Sequence, residues 1–145
     1  MNIDFSVQLP TDAQSVPLVR GLLRQALEHL HVTQPVIEEI TLALTEACAN
    51  VVDHAADHED YQVDVSIDEQ LCTISVLDDG AGFDVASATE TDPAPTDDRG
   101  RGLMLMRALV DRLRFVEGDD GRHRVTFEKR LVTQPRLRLR LLEPH

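Results

Sequence analysis

The chain has 145 residues, 42% of them apolar, and a formal net charge of −12. That length suits one domain able to bury its own core, and the charge argues against a nucleic-acid binder, since phosphate contacts need clustered Lys and Arg. No apolar run approaches the roughly 18 residues of a membrane span, and Met1–Phe5 lacks the basic and apolar regions of a signal peptide, so a cytoplasmic protein is expected.

Ile3, Phe5 and Val7 alternate with polar neighbours and predict a first strand closed by Pro10. Thr11 or Asp12 can cap a helix with Val16, Val19, Leu23, Ala26, Leu27 and Leu30 at helical spacing. After a break at His31–Pro35, a second helix is predicted over Val36–Ala55, with Ile37, Ile40, Leu44, Ala47, Cys48, Val51 and Ala55 on one side. At about 100° per residue, Glu46, Asn50 and Asp53 lie roughly opposite that stripe, on a face expected to stay off the main core.

Tyr61, Val63, Val65 and Ile67 alternate as a strand, and Asp68-Glu69-Gln70 turns it into another with Cys72, Ile74 and Val76 inward. Period two puts Asp78 on that same buried face. Residues 84–99 show no apolar periodicity, the pattern of a functional lid or a disordered segment. A third helix is predicted after Gly102, using Leu103, Met106, Leu109, Val110 and Leu113, and Arg114–Glu117 and Arg122–Arg130 read as closing strands around a Gly118–Gly121 turn. Cys48 and Cys72 fall inside apolar patterns and are expected as buried reduced thiols. One domain over 1–131 is expected, followed by a basic tail, 132–145. Residues 131–145 hold Arg136, Arg138 and Arg140 against Glu143, a net of +2 that leaves −14 on the rest. Such a tail is either a solvated end or a docking segment for an acidic surface.

Three stretches carry chemistry. Asp78, behind inward apolar side chains, is costly to bury unless something donates hydrogen bonds to it. The exocyclic amine of adenine is such a donor; a strand-end Asp capping its own turn is the alternative. Gly80 and Gly82 allow positive φ and let a ring approach the backbone. Gly100 and Gly102, flanked by Arg99 and Arg101, precede a predicted helix whose first amides would face an anion, or else form a flexible loop-to-helix junction. Glu46 and Asn50, at i and i+4, share a face. They offer a carboxamide and a carboxylate suited to Mg²⁺ beside phosphates and a base for an attacking hydroxyl, or simply a solvated polar face. His54 and His58 share the same spacing, but neither the Glu of a zinc-protease helix nor a nearby Cys completes a zinc set.

Glu46-Ala-Cys-Ala-Asn50-Val-Val-Asp-His54-Ala resembles the N box of the GHKL ATPase superfamily, Asp78-Asp-Gly80-Ala-Gly82-Phe83-Asp84 its G1 box, and Gly100-Arg-Gly102-Leu-Met-Leu-Met-Arg-Ala-Leu-Val-Asp111 its G2 box. The likeness spans residues from about 3 to 131 and is greatest to the small anti-sigma factor serine/threonine kinases of the RsbW and SpoIIAB type. The resemblance implies an α/β two-layer sandwich, a mixed, largely antiparallel sheet with helices on one face. It implies ATP and Mg²⁺ as cofactors, with Glu46 as catalytic base and Asn50 as metal ligand. The nucleotide would lie against Asn50, Asp78, Gly80, Gly82, Arg99, Gly100, Arg101, Gly102 and Leu103, under a lid of residues 84–99. It further implies a homodimer that binds a sigma factor and phosphorylates a STAS-domain anti-sigma antagonist.

There are departures. Family members often carry Gly-Thr in the last strand near the adenine pocket, where this chain has Arg122-His123-Arg124, so the family's own adenine contacts from that strand have no matching residues here. The tail also extends past the usual domain end. A nucleotide-responsive binding module with little phosphotransfer is the alternative function. A histidine-kinase fragment fits less well, because no dimerisation helix with a phosphoacceptor His precedes residue 1.

Overall fold

Alternating side chains build the sheet, and among the described residues three helices cover one of its faces. The computed structural model describes residues 1–54, 60–78, 98–117 and 123–134. In chain order the elements are β1 (Ile3–Pro10), α1 (Ser15–His29), α2 (Gln34–His54), β2 (Asp60–Ile67), β3 (Leu71–Asp78), α3 (Asp98–Leu109), β4 (Arg112–Glu117) and β5 (His123–Arg130). The strands lie in the order β1-β2-β3-β5-β4. The largely antiparallel sheet expected is antiparallel at every pairing among the described residues. Val63, Val65, Ile74, Val76, Val125 and Phe127 from the sheet meet Val19, Leu23 and Leu27 of α1 and Ile37, Ile40, Leu44, Ala47, Cys48 and Val51 of α2 in one buried core. Each fully buried side chain of this size contributes about 1.5–3 kcal/mol. No helix among the described residues is long and apolar enough to cross a membrane.

Local chemistry sets the ends of the helices. Thr11 or Asp12 was expected to cap α1, but Gln14 stands at that position and makes no side-chain cap bond. Asp12 acts earlier: its carboxylate accepts the Gln14 amide at 2.9 Å, and its carbonyl accepts the Ser15 amide at 2.9 Å and hydroxyl at 2.6 Å. The Ser15 hydroxyl also lies 2.6 Å from the Tyr61 hydroxyl, which ties α1 to β2. At the other end, His31 takes the left-handed conformation (φ 61°). The His31 amide donates to Glu28 O at 3.0 Å and the Val32 amide to Leu27 O at 3.1 Å. This is a Schellman closure with His where glycine is usual, sealed by burial of Leu27 and Val32. Helix α2 starts two residues earlier than the periodicity predicts, because Thr33 O already accepts the Ile37 amide at 3.0 Å. Pro35, missing a donor that the first turn would leave unpaired anyway, fits inside it.

Helix α3 differs most from expectation. It begins at Asp98 and ends at Leu109, so Gly100 and Gly102 lie within it, Asp98 and Arg99 leave the expected lid, and Leu113 falls in β4. Its C-terminal end is pinned. Lys129 Nζ donates to the Leu109 carbonyl at 2.8 Å and to Glu39 Oε2 on α2 at 2.7 Å. The Asp111 amide donates to Glu128 O at 2.9 Å, and the Arg130 amide to Asp111 Oδ2 at 2.6 Å.

The chain beyond Leu131 stays hydrogen-bonded for a short distance. Thr33 N donates to Val132 O and Gln134 N to His31 O, each at 2.8 Å, so Val132–Gln134 pack on the α1–α2 connection; the remainder of the expected tail lies outside the described residues. Cys48 and Cys72 are both free and buried, as expected. Burial pushes each thiol up to about 12 from an ordinary 9.0, which keeps both protonated and unreactive at neutral pH.

A left-handed conformation costs a β-carbon-bearing residue about 1–2 kcal/mol, partly offset by the greater unfolded-state entropy of glycine. His31→Gly should therefore stabilise the fold by roughly 0.5–1 kcal/mol and raise the thermal midpoint by about 2–3 °C. A lower midpoint by differential scanning calorimetry would mean that the His31 ring contributes more than its backbone strain costs.

Candidate nucleotide site

The candidate residues come from three elements, α2, β3 and α3, and α2 packs against both of the others. Glu46 and Asn50 lie one turn apart on α2. Asp78 ends β3, 3% exposed, on the same face as Cys72, Ile74 and Val76, which is where the strand alternation put it.

Gly102 decides the geometry. A Cβ added there would lie 2.8 Å from Glu46 Oε2, 3.7 Å from Asn50 Nδ2 and 3.8 Å from Asn50 Oδ1. The N-terminal part of α3 thus rests directly on the polar face of α2, and a hydrogen in place of a side chain lets it do so. This corrects two expectations. The polar face of α2 is not uniformly clear of packing: Asn50 is 8% exposed, buried under α3, while Glu46 is half-buried and Asp53 exposed. The helix was expected to begin after Gly102, but both glycines lie inside it, Gly100 in its first turn and Gly102 just beyond. A helix over Asp98–Arg101 still leaves its first amides without intrahelical partners, the arrangement that binds anions.

Leu103 is buried in the core beside Met106, so its side chain anchors α3. Arg101 is exposed. Of Arg99 and Gly100 the backbone alone is described, and Gly80, Gly82, residues 84–97 and His58 lie outside the described residues.

Asn50 is where a ligand's chemistry fits. Its Nδ2 is buried and has no hydrogen-bond partner, and an unpaired buried donor costs about 1–3 kcal/mol. An amide offers a donor for a phosphate oxygen and a carbonyl oxygen for a hard cation. Among the described residues no group of three His, Cys, Asp or Glu could hold a metal. A cation here would rely on Asn50, phosphates and water, as Mg²⁺ does beside nucleotides.

The family model described as "Histidine kinase-like ATPase domain" matches residues 9–129, and the serine-protein kinase RsbW of Bacillus subtilis is 31% identical over 126 residues, covering 78% of each chain. The chain belongs to this ATPase family, on its RsbW branch. RsbW of Halalkalibacterium halodurans is also 31% identical, over 127 residues that cover 81% of this chain and 77% of that protein. RsbW of Bacillus velezensis is 28% identical over 132 residues, 83% and 82% of the two chains. Two solved structures share the fold. The structure of the RsbU and RsbW domains of Rv1364c from Mycobacterium tuberculosis superposes with a TM-score of 0.67 at 20% identity; the match covers 92% of this chain and about a third, 33%, of that one. The SiaB–SiaC complex from Pseudomonas aeruginosa gives a TM-score of 0.57 at 15% identity, covering 87% and 89%. The family uses ATP, and the α2–α3 contact lies within the matched residues.

Two features escaped the sequence reading. The packing role of Gly102 needed the distance to Glu46, and its signal was a glycine that cuts across an otherwise helical apolar pattern. His123 drew notice as a departure from Gly-Thr, yet period two counted back from Val125 already turns it inward, to face Asp78 in register.

Gly102→Ala tests the contact. The clashing atom is the end of a flexible Glu side chain, and Ala favours a helix over Gly by about 0.8–1 kcal/mol, so the thermal midpoint should hold or rise. The Glu46 carboxylate should be displaced, and since misplacement by about 1 Å can cost 10²-fold, ATP turnover should drop by roughly 10–100-fold. Unchanged turnover would separate Gly102 from the chemistry.

Proposed function

We propose that the chain is an anti-sigma factor with ATP-dependent serine/threonine protein kinase activity. It binds a sigma factor, phosphorylates a serine or threonine on a STAS-domain anti-sigma antagonist, and acts as a cytoplasmic homodimer. The observation that carries this reading is the approach of Gly102 to Glu46 and Asn50: a helix N-terminus, a carboxylate and an unpartnered amide are held together in a chain whose relatives are serine-protein kinases.

In this reading Asp78 accepts a hydrogen bond from the adenine amine. The amides at the start of α3, with Arg99 and Arg101, face the phosphates together with Gly80, Gly82 and Gly100. Mg²⁺, held through Asn50, supplies charge neutralisation at the phosphates. Glu46 accepts the proton of the attacking hydroxyl while its oxygen bonds to the γ-phosphorus and the bond to the β–γ bridging oxygen breaks, leaving ADP and a phosphorylated partner. Phosphoryl transfer depends chiefly on positioning and charge stabilisation, and the α2–α3 contact provides positioning. The binding-module alternative is not favoured, because both Glu46 and Asn50 are retained and lie together. The net charge of −12 suits protein partners better than nucleic acid.

Incubation with labelled ATP, Mg²⁺ and a STAS-domain partner tests the activity, and two variants apportion it. Glu46→Ala should leave ATP affinity within a few fold and slow single-turnover phosphotransfer by roughly 10²–10⁴. Asn50→Ala should weaken Mg²⁺-dependent nucleotide binding as well as turnover. Phosphotransfer at the wild-type rate in Glu46→Ala would remove the base from this position.

A further inference from the structure

β5 contributes a polar side chain to the region of Asp78 that neither the family resemblance nor the reading above uses. His123 stands directly across from Asp78 in the β3–β5 register. Facing residues of paired strands project to one side of the sheet, with Cβ atoms about 4.5–5.5 Å apart. The same face carries Val125 and Phe127, both buried under the helices. The His123 side chain is partly exposed, but its Nδ1 atom is buried and has no hydrogen-bond partner.

A ring nitrogen withdrawn from water and left unpaired is unfavourable, as is the Asn50 Nδ2 beneath α3. These are the two buried side-chain atoms without partners among the described residues. One is in the candidate phosphate region and the other faces the candidate base-reading acid. A single ligand with an anionic end and a heterocyclic end accounts for both.

We propose that His123 is a specificity-determining residue that reads the purine base: its Nδ1–H donates to the adenine ring nitrogen next to the exocyclic amine, while Asp78 accepts from that amine. This rests on the ATP-binding reading above. The pair offers one acceptor and one donor side by side on adjacent strands. Adenine presents the complement, an amine donor beside a ring-nitrogen acceptor. Hypoxanthine and guanine present a carbonyl oxygen and a ring N–H there, and so set acceptor against acceptor and donor against donor. The Arg122-His123-Arg124 sequence, which departs from the family's Gly-Thr, thus keeps a base contact on β5 through a different side chain.

Isothermal titration of wild type, His123→Ala and His123→Asn with ATP, ITP and 1-deaza-ATP tests the assignment. An Asn amide places a donor near the position of Nδ1. His123→Ala should lose about tenfold in ATP affinity, the worth of one buried hydrogen bond, and hold or gain affinity for ITP as the opposed donor is removed, so its ATP/ITP preference narrows by about tenfold or more while Asp78 keeps the remainder. His123→Asn should retain most of both affinity and preference. Removing the ring nitrogen (1-deaza-ATP) should weaken wild type by about tenfold and leave His123→Ala unaffected. A simple loss of packing would weaken all three nucleotides alike and would overturn the proposal, as would an unchanged ATP/ITP ratio in His123→Ala. If His123→Ala fails to fold, as judged by its thermal melt, wild type and His123→Asn decide: equal affinity of wild type for ATP and 1-deaza-ATP overturns the assignment. Wild type that binds no ATP overturns the nucleotide-site reading itself, an outcome distinct from ATP binding that ignores His123.

Discussion

The seating of α3 on the polar face of α2 governs this molecule. Apolar contact alone does not explain it, because the groups that meet there are a carboxylate, an amide and a glycine. The helix is held from its far end and from below: Lys129 bridges the last carbonyl of α3 to Glu39 of α2, and Leu103 and Met106 are buried in the core. A cation at a helix C-terminus interacts favourably with the dipole, and here it also fixes where the opposite terminus points. Anchoring at the C-terminus and close approach near the N-terminus together fix where α3 lies on α2. Any side chain at position 102 would have to displace the carboxylate beneath it.

The sheet supplies the second constraint. One cross-strand row runs Leu9, Tyr61, Asp78, His123 over β1, β2, β3 and β5. It grades from apolar to ionisable as it crosses the sheet from β1 to β5. Tyr61 is buried with its hydroxyl satisfied by Ser15, and burial raises its pKa above the usual tyrosine range. It is a structural polar group. Asp78 and His123 continue the row across β3 and β5. Antiparallel register thus brings two groups 45 positions apart in the chain to neighbouring places, with no loop needed to position either.

How much of this could be read from the chain depends on how local each cause is. The inward phase of Asp78 follows from alternation within one strand, so Cys72, Ile74 and Val76 were enough to fix it. The apolar stripe of α2 from Ile37 to Val51 was equally legible, because a 3.6-residue period needs no partner to be seen. The start of α3 was not. Two glycines in three residues weigh against a helix by intrinsic propensity, and the packing of Gly102 on Glu46, distant in sequence, overrides that preference. The burial of Asn50 was missed for the same reason, since the helix that covers it comes some fifty residues later. Leu113 kept helical spacing by coincidence, and its placement in β4 follows from pairing with Phe127. Local consistency carried the fold, and the rules failed where α2 and α3 meet, the kind of place where functional sites break them.

The acidity of the chain then becomes intelligible beside an anionic ligand. A net charge of −12 opposes any polyanion at a distance, but at physiological ionic strength that field decays over about 8 Å. A nucleic acid spreads its phosphates over many such lengths and would meet mostly acidic surface. A nucleotide concentrates its charge within one, where an exposed arginine such as Arg101 and the amides that any helix start leaves without intrahelical partners can act at contact range. Short-range donors can prevail over a repulsive body if the ligand is compact and the donors are rigidly placed. An acidic body is therefore compatible with a compact anionic ligand at the start of α3 in a way that it is not with an extended polyanion.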